Sequence, residues 1–137
     1  MESRFPEVNG RYQITSEWSI YLENRYLKRF EEDNLVFWKK GLTIYIAIWD
    51  LYKNSKQETL KWIKEDSCQK PIEKYEFVRD RYLYYGYLLE EDIDNNKRWA
   101  LYVFTIANSG YVQMAIYFDN KEELEVAKDI WSTLEEK

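Results

Sequence analysis

Apolar and polar positions alternate most strictly over two segments, Leu42–Trp49 and Tyr111–Phe118. A period of two with contrasting chemistry on the two sides is typical of a β-strand whose faces have different surroundings. In the first segment, Leu42, Ile44, Ile46 and Ile48 form an aliphatic face, opposite Thr43, Tyr45, Ala47 and Trp49. In the second, Val112, Met114, Ile116 and Phe118 lie opposite Tyr111, Gln113, Ala115 and Tyr117.

These two segments and shorter strand-like pieces separated by turn signals predict a sheet of about six to seven strands. Polar or glycine-containing turns are expected at 31–34, 39–41 and 108–110. The acidic stretch 90–97 is expected to be a loop, and Gly86 is expected to mark a bulge or bend. The further strand-like pieces are 11–15, 18–22, 25–30, 35–38, 75–78, 81–89 and 99–106.

Two amphipathic helices are predicted, each after a capping signal. Ser55 and Glu58 have the spacing of a capping box, which predicts a helix over 56–64 that buries Leu60 and Ile63. Asn120 with Glu123 gives a second start signal, and the apolar spacing that follows predicts a helix over 121–135. The apolar stripe of this C-terminal helix comprises Leu124, Ala127, Ile130, Trp131 and Leu134.

These elements predict an α+β fold with a single antiparallel sheet, in one domain over 1–137. Both helices need an apolar surface, and the aliphatic strand faces supply it, extended by Leu101 and Val103. We therefore expect both helices, the C-terminal one above all, to pack on the aliphatic face of the sheet.

That packing leaves an aromatic second face on the sheet. Such side chains combine a large apolar area with a polar tip, which suits partner contact or a shallow ligand groove. One possibility is that strands 11–15 and 18–22, or the segment around Cys68, cover this face. The other is that part of it stays open for a partner protein, a second copy or a ligand. The predicted contact residues are Tyr45, Trp49, Tyr102, Phe104, Gln113 and Tyr117.

Composition and charge narrow the function classes. The 137 residues include 13 Tyr, 6 Trp and 6 Phe, and the net charge is −5. Adjacent basic residues occur only in small groups such as Lys39-Lys40 and Lys97-Arg98, which argues against nucleic-acid binding. The acidic net charge would instead suit a basic partner. No apolar run approaches the roughly 18–20 residues that a membrane span needs, and the N-terminus does not look like a signal peptide. The single cysteine cannot form an internal disulfide, which fits a reducing compartment. We therefore expect a cytoplasmic location.

Catalytic and metal-binding signatures are scarce. Histidine is absent, which excludes His-based acid–base catalysis, the usual nucleophile triads and His-ligated metals. The run from Asp92 to Asn96 starts like a calcium loop, but Lys97 and Val103 stand where glycine and the bidentate glutamate are needed. We expect neither a metal, a cofactor nor an enzymatic activity. Paired carboxylates for glycoside hydrolysis stay open as an alternative, because their separation is not encoded locally.

The order of elements resembles that of PsbP-like α+β domains, in which a meander of strands is followed by a C-terminal helix that packs back on the sheet. The matching features are Trp18-Ser-Ile20, the two alternating strands, and Ala127-x-x-Ile130-Trp-Ser-x-Leu134. The resemblance implies a mostly non-enzymatic domain that binds proteins or acts as an accessory. The small, acidic, tyrosine-rich character is also similar to that of bacterial immunity proteins, which neutralise a toxin by direct contact.

Taken together, these features predict a non-catalytic, protein-binding small protein. Its aromatic sheet face would engage another protein inside a rim of carboxylates, with a homodimer as a further possibility. The alternative is a small-molecule carrier with an aromatic pocket. The predicted acidic rim consists of Glu90, Glu91, Asp92 and Asp94.

Overall fold

The computed structural model describes residues 5–67 and 70–136, apart from the side chain of Ile93. Within this part of the chain, a nine-stranded antiparallel sheet carries two α-helices. The helices are α1 (Lys56–Asp66) and α2 (Leu124–Ser132), each preceded by a short 3₁₀ turn. The strands are β1 (Glu7–Gln13), β2 (Trp18–Glu31), β3 (Asn34–Lys39), β4 (Leu42–Trp49), β5 (Glu73–Arg79), β6 (Tyr82–Ile93), β7 (Asn96–Ile106), β8 (Tyr111–Phe118) and β9 (Glu135–Glu136).

The sheet is built from two antiparallel meanders that meet at β4 and β8. Its strand order is β1-β2-β3-β4-β8-β7-β6-β5, with β9 paired to the start of β2. The chain leaves β4 in the middle of the sheet, passes through α1, and enters β5 at the far edge. The predicted α+β class with one antiparallel sheet is confirmed, but the predicted strand number is too low.

The acidic stretch 90–97 is not a loop, as the sequence predicted, but the end of a long hairpin. β6 and β7 stay paired as far as Ile93 opposite Asn96. The reversal takes only Asp94 and Asn95, whose φ angles of 51° and 68° are those of a tight hairpin turn. Pairing with the neighbouring strand keeps the charged residues extended. In the same way, 18–22 and 25–30 join into the single strand β2.

The main core lies on the aliphatic face, where α2 packs as predicted. Trp131 of α2 is buried there, and its indole Nε1 donates to the buried Thr105 hydroxyl at 2.9 Å. The sheet curls around this core, so that the rings of Trp18 in β2 and Tyr82 in β6 come within 6.3 Å of each other. α2 is shorter than the predicted helix, and Leu134 is buried just beyond its end.

Gly86 marks close packing rather than the predicted bulge. It keeps regular pairing with Tyr75 on β5 and with Val103 on β7. A Cβ atom at this position would lie 2.7 Å from Val103 Cγ1 and 3.2 Å from the Trp131 ring. The absence of a side chain therefore lets α2 approach the sheet closely.

α1 packs on the opposite, aromatic face, which corrects the prediction that both helices share the aliphatic face. Its start is as predicted, because the Ser55 hydroxyl accepts from the Glu58 amide at 3.1 Å. Ile63 is buried, together with Phe104 and Tyr111 of the sheet, in a second hydrophobic cluster. The crossover from β4 to β5 carries α1 across this side of the sheet, where large aromatic side chains supply the apolar area.

Candidate functional site

α1 covers only part of the aromatic face, and an open groove of about 450 Å³ lies beside it. Its floor is formed by small side chains, because Ala47 and Ala115 stand at positions where the neighbouring strands carry larger residues. Ala115 lies between Tyr45 on β4 and Tyr102 on β7 in the strand register. Two small residues among aromatic neighbours therefore create the depression.

The groove has a tyrosine wall formed by Tyr45, Tyr102 and Tyr117, with Tyr117 at its centre. The Tyr117 ring makes edge contacts with Tyr45 at 5.8 Å and with Tyr102 at 6.0 Å between ring centres. The guanidinium carbon of Arg98 lies 3.9 Å from the centre of the Tyr117 ring, within the range of a cation–π contact. These contacts hold the wall in one arrangement.

A polar network joins the wall to β6. Glu91 accepts from Arg98 Nε at 3.1 Å and from a terminal Arg98 nitrogen at 2.9 Å. The same carboxylate accepts from the Tyr102 hydroxyl at 2.8 Å, and the hydroxyls of Tyr102 and Tyr117 lie 3.3 Å apart. Burial, followed by the hydrogen bonds to Tyr117 and Glu91, raises the pKa of Tyr102 well above its ordinary value. Arg98 and Glu91 compensate each other's charge inside the network.

Trp49 borders the groove at the end of β4. Its side chain is 50% exposed, and its indole Nε1 donates to the Gln113 amide oxygen at 3.1 Å. Nearby, Tyr52 and Trp62 are also exposed, with their rings stacked at 5.9 Å between centres. Trp49 and Trp62 both line a second cavity of about 200 Å³ between α1 and the sheet. Exposed aromatic surface thus continues from the groove onto α1.

The predicted contact residues fall into two groups. Phe104 is only 8% exposed and belongs to the cluster beneath α1, where it also lines the smaller cavity. The five residues that the structure brings together around the groove are Tyr45, Trp49, Tyr102, Gln113 and Tyr117.

The predicted acidic rim does not assemble around the groove. Glu91 reaches it through Arg98 and Tyr102, but Glu90 and Asp92 alternate to the other face of β6. Glu90 lies 3.5 Å from Lys97 as an exposed ion pair, and Asp94 occupies the hairpin turn.

The cover of the aromatic face also differs from the prediction. The pieces 11–15 and 18–22 contribute β1 and the start of β2, and therefore belong to the sheet itself. The element that covers part of the aromatic face is α1. The prediction for Cys68 lies outside the described residues.

Several residues of the site were missed at the sequence level. Asn34 and Arg98 line the groove from strands whose pairing with the rest of the site is set by the sheet order. Trp62 could have been found, because it follows Leu60 by two positions and so lies off the stripe of Leu60 and Ile63. A tryptophan off the apolar stripe of an amphipathic helix signals exposed aromatic surface.

Within residues 5–67 and 70–136, no group of three or more His, Cys, Asp or Glu side chains is arranged to hold a metal ion. Over the same residues, no helix combines the length and the apolar character needed to cross a membrane.

Comparison with known proteins shows a fold but no family. No family model matches the sequence, and no curated protein matches it significantly. The structure is similar to that of a protein from Bacteroides thetaiotaomicron VPI-5482, whose crystal structure was determined at 1.50 Å resolution, with a TM-score of 0.71 and 10% sequence identity. The match covers 95% of this chain and 49% of that protein, so this chain spans about half of its length. At this identity, the likeness shows the fold alone.

Proposed function

We propose that this chain is a non-catalytic, cytoplasmic binding protein of the accessory or immunity type, which engages another protein through its aromatic face. The observation that carries the proposal is Trp49, which is half exposed and donates its indole N–H to the Gln113 amide oxygen. Tryptophan and tyrosine are the residue types that dominate binding energies at protein interfaces. Because this hydrogen bond favours one orientation of the indole, less conformational entropy is lost when a partner covers it.

The surrounding surface supports the same use. Tyr52 and Trp62 add a stacked, exposed pair on the α1 side of Trp49. On the other side, the tyrosine wall offers phenol rings whose arrangement is maintained by Arg98 and Glu91. The resemblance to PsbP-like domains, which mostly bind proteins or act as accessories, points to the same class of function.

The charge of the chain favours a basic partner. The net charge is −5, and the one arginine of the groove is compensated by Glu91. An acidic molecule attracts a basic protein over distances set by salt screening, which raises the association rate more than the final affinity. We therefore expect association to slow as the salt concentration rises.

The test is a parallel affinity capture from native cell lysate with the wild-type chain, Trp49→Ala and Phe30→Ala. Phe30 is an exposed aromatic residue of β2 outside the groove lining and serves as the matched control. The proposal expects one stoichiometric protein that is retained by Phe30→Ala and lost with Trp49→Ala. Equal capture by all three chains would show that the aromatic face is not the contact surface.

A small-molecule carrier is the second candidate, and the alanine floor favours it. A depression of about 450 Å³ falls within the range of roughly 300–1,000 Å³ that is typical of small-molecule sites. In a screen of aromatic and neutral polar compounds, a true ligand would change the tryptophan fluorescence of the wild-type chain. Ala115→Leu would fill the floor and abolish that change, whereas it would leave the half-exposed Trp49 anchor in place for a protein partner.

A further inference from the structure

The two edges of the sheet are protected differently. At the β1 edge, the register with β2 shifts between Val8 and Gly10, and Gly10 has a φ of 79°. Such an irregularity is one of the ways in which proteins prevent edge-to-edge pairing. At the other edge, β5 pairs with β6 at every position from Glu73 to Arg79 without a shift. β5 is the end of the strand order, so its outer side has backbone N–H and C=O groups without a neighbouring strand in the described chain.

The side chains of this edge form a regular row on the α1 side of the sheet. Lys64 of α1 donates to Glu76 at 2.7 Å, which places Glu76 on that side. By alternation within β5, Lys74 and Val78 lie on the same side as Glu76. Ile72 directly precedes the strand, and its amide donates to the Leu88 carbonyl at 2.9 Å. Val78 is 69% exposed and Ile72 is also exposed. An edge strand that carries an exposed aliphatic side chain, Val78, with a second one, Ile72, just before it, favours pairing with another strand.

The row is complementary to itself when a second copy runs antiparallel. With Tyr75 opposite its own copy, Ile72 lies opposite Val78 and Lys74 lies opposite Glu76. Each of these pairs occurs twice because the arrangement has twofold symmetry. Apolar pairs and opposite charges directly across from each other stabilise antiparallel strands.

Neighbouring registers lack this match. A register centred on Glu76 places that carboxylate opposite its own copy, and one centred on Lys74 does the same with the ammonium group. Like charges directly opposite are destabilising. The pattern therefore selects the register centred on Tyr75.

We propose that two copies of this chain form a homodimer by antiparallel pairing of their β5 strands in the register centred on Tyr75. The twofold axis of such a pair is perpendicular to the sheet, so each copy keeps its α1 side on the same side of the joined sheet. The two aromatic grooves would then face the same way. A partner with two epitopes could engage both and gain affinity through effective concentration.

The first measurement is the mass of the full chain in solution by light scattering over a range of concentrations. The proposal expects a rise from 16.9 kDa to about twice that value. Val78→Lys should leave a monomer because it places an ammonium group opposite Ile72. Lys74→Glu should weaken dimerisation by about tenfold, because two attractive pairs become two repulsive ones. Lys40→Glu, an exposed change of the same charge in the β3–β4 turn, should leave dimerisation unchanged.

The register is tested by the double variant Lys74→Glu with Glu76→Lys. Exchanging the two charges restores both opposite-charge pairs between the copies but removes the Lys64–Glu76 ion pair within each copy, so dimerisation should recover in part relative to Lys74→Glu alone. A monomer at every accessible concentration, or a dimer that all of these variants leave unchanged, would overturn the proposal. Circular dichroism establishes that each variant is folded. If Val78→Lys does not fold, Lys74→Glu and the double variant test the proposal in its place.

Discussion

The indole nitrogen of Trp131 donates to the hydroxyl oxygen of Thr105 at 2.9 Å, between two fully buried side chains. The bond links α2 to β7 at a buried polar position of the aliphatic face. A buried N–H group without an acceptor destabilises the folded state, because it loses its hydrogen bonds to water and gains no other. The pair therefore fixes the position of α2 on the sheet.

Replacing Thr105 by Val should lower the free energy of unfolding by about 1–3 kcal/mol, because it keeps the shape but removes the acceptor. Chemical denaturation followed by circular dichroism measures the change. Thr43→Val is the matched control, since Thr43 is only half buried on β4. Equal effects of the two variants would show that the hydrogen bond contributes nothing specific.

Gly86→Ala should destabilise the fold by about 1–3 kcal/mol through overpacking. The added methyl group would meet Val103 Cγ1 at 2.7 Å and the Trp131 ring at 3.2 Å. Combining it with Val103→Ala removes the nearer obstacle, so the double variant should be more stable than the sum of the two single effects predicts. Strict additivity in the denaturation data would contradict a direct clash.

Two aromatic residues that the sequence placed in one contact set should behave differently. Phe104→Ala empties a buried site beneath α1 and should cost about 3–5 kcal/mol of stability. Trp49→Ala removes a half-exposed ring, so it should change stability by less than about 1.5 kcal/mol while lowering partner affinity by about 2 kcal/mol or more. Thermal unfolding and binding titrations of both variants separate these roles. A large stability loss in Trp49→Ala with unchanged binding would make Trp49 a core residue.

Stability should fall above pH 10. Burial, together with the nearby charges of Glu123 and Glu23, raises the pKa of Tyr26 from its ordinary value of 10 to about 12, and the pKa of Tyr102 is also raised. Between pH 10 and 12, the folded chain keeps protons that the unfolded chain has lost, so this stabilisation is complete below pH 10 and disappears as pH rises. Denaturation curves at several pH values measure the fall.

Tyr26→Phe and Tyr102→Phe remove the two groups in turn. Each should flatten the decline of stability in that pH range, because phenylalanine has no proton to lose. The control is Tyr52→Phe, an exposed tyrosine of the loop before α1. An unchanged slope in both buried-site variants would assign the alkaline loss of stability to other groups.

Local patterns predicted the central elements well. β4 and β8 have the bounds that their alternation predicted, because each lies in the middle of the sheet between faces of different chemistry. The start of α1 at Ser55 was also predictable, since a capping bond depends on residues three positions apart. The hairpin between β7 and β8 follows in the same way from its turn residues.

The candidate site was predictable only in part. Alternation assigned Tyr45, Trp49 and Tyr117 to one face, and the structure confirms that they share it. Alternation could not show that Phe104 is covered and Trp49 is not, because that depends on where α1 crosses the sheet. It also treated 90–97 as a loop, since nothing within that stretch reveals that β6 and β7 continue to pair.

The sequence by itself determined the aromatic and aliphatic faces, the helix starts and the absence of histidine chemistry, all of which depend on residue type and short spacing. Only the tertiary structure decided that α1 and α2 lie on opposite faces, that Arg98 and Glu91 meet the tyrosine wall, and that β5 is left as a regular edge. These features arise from the order of strands in the sheet. That order brings together residues far apart in the chain, and no local pattern encodes it.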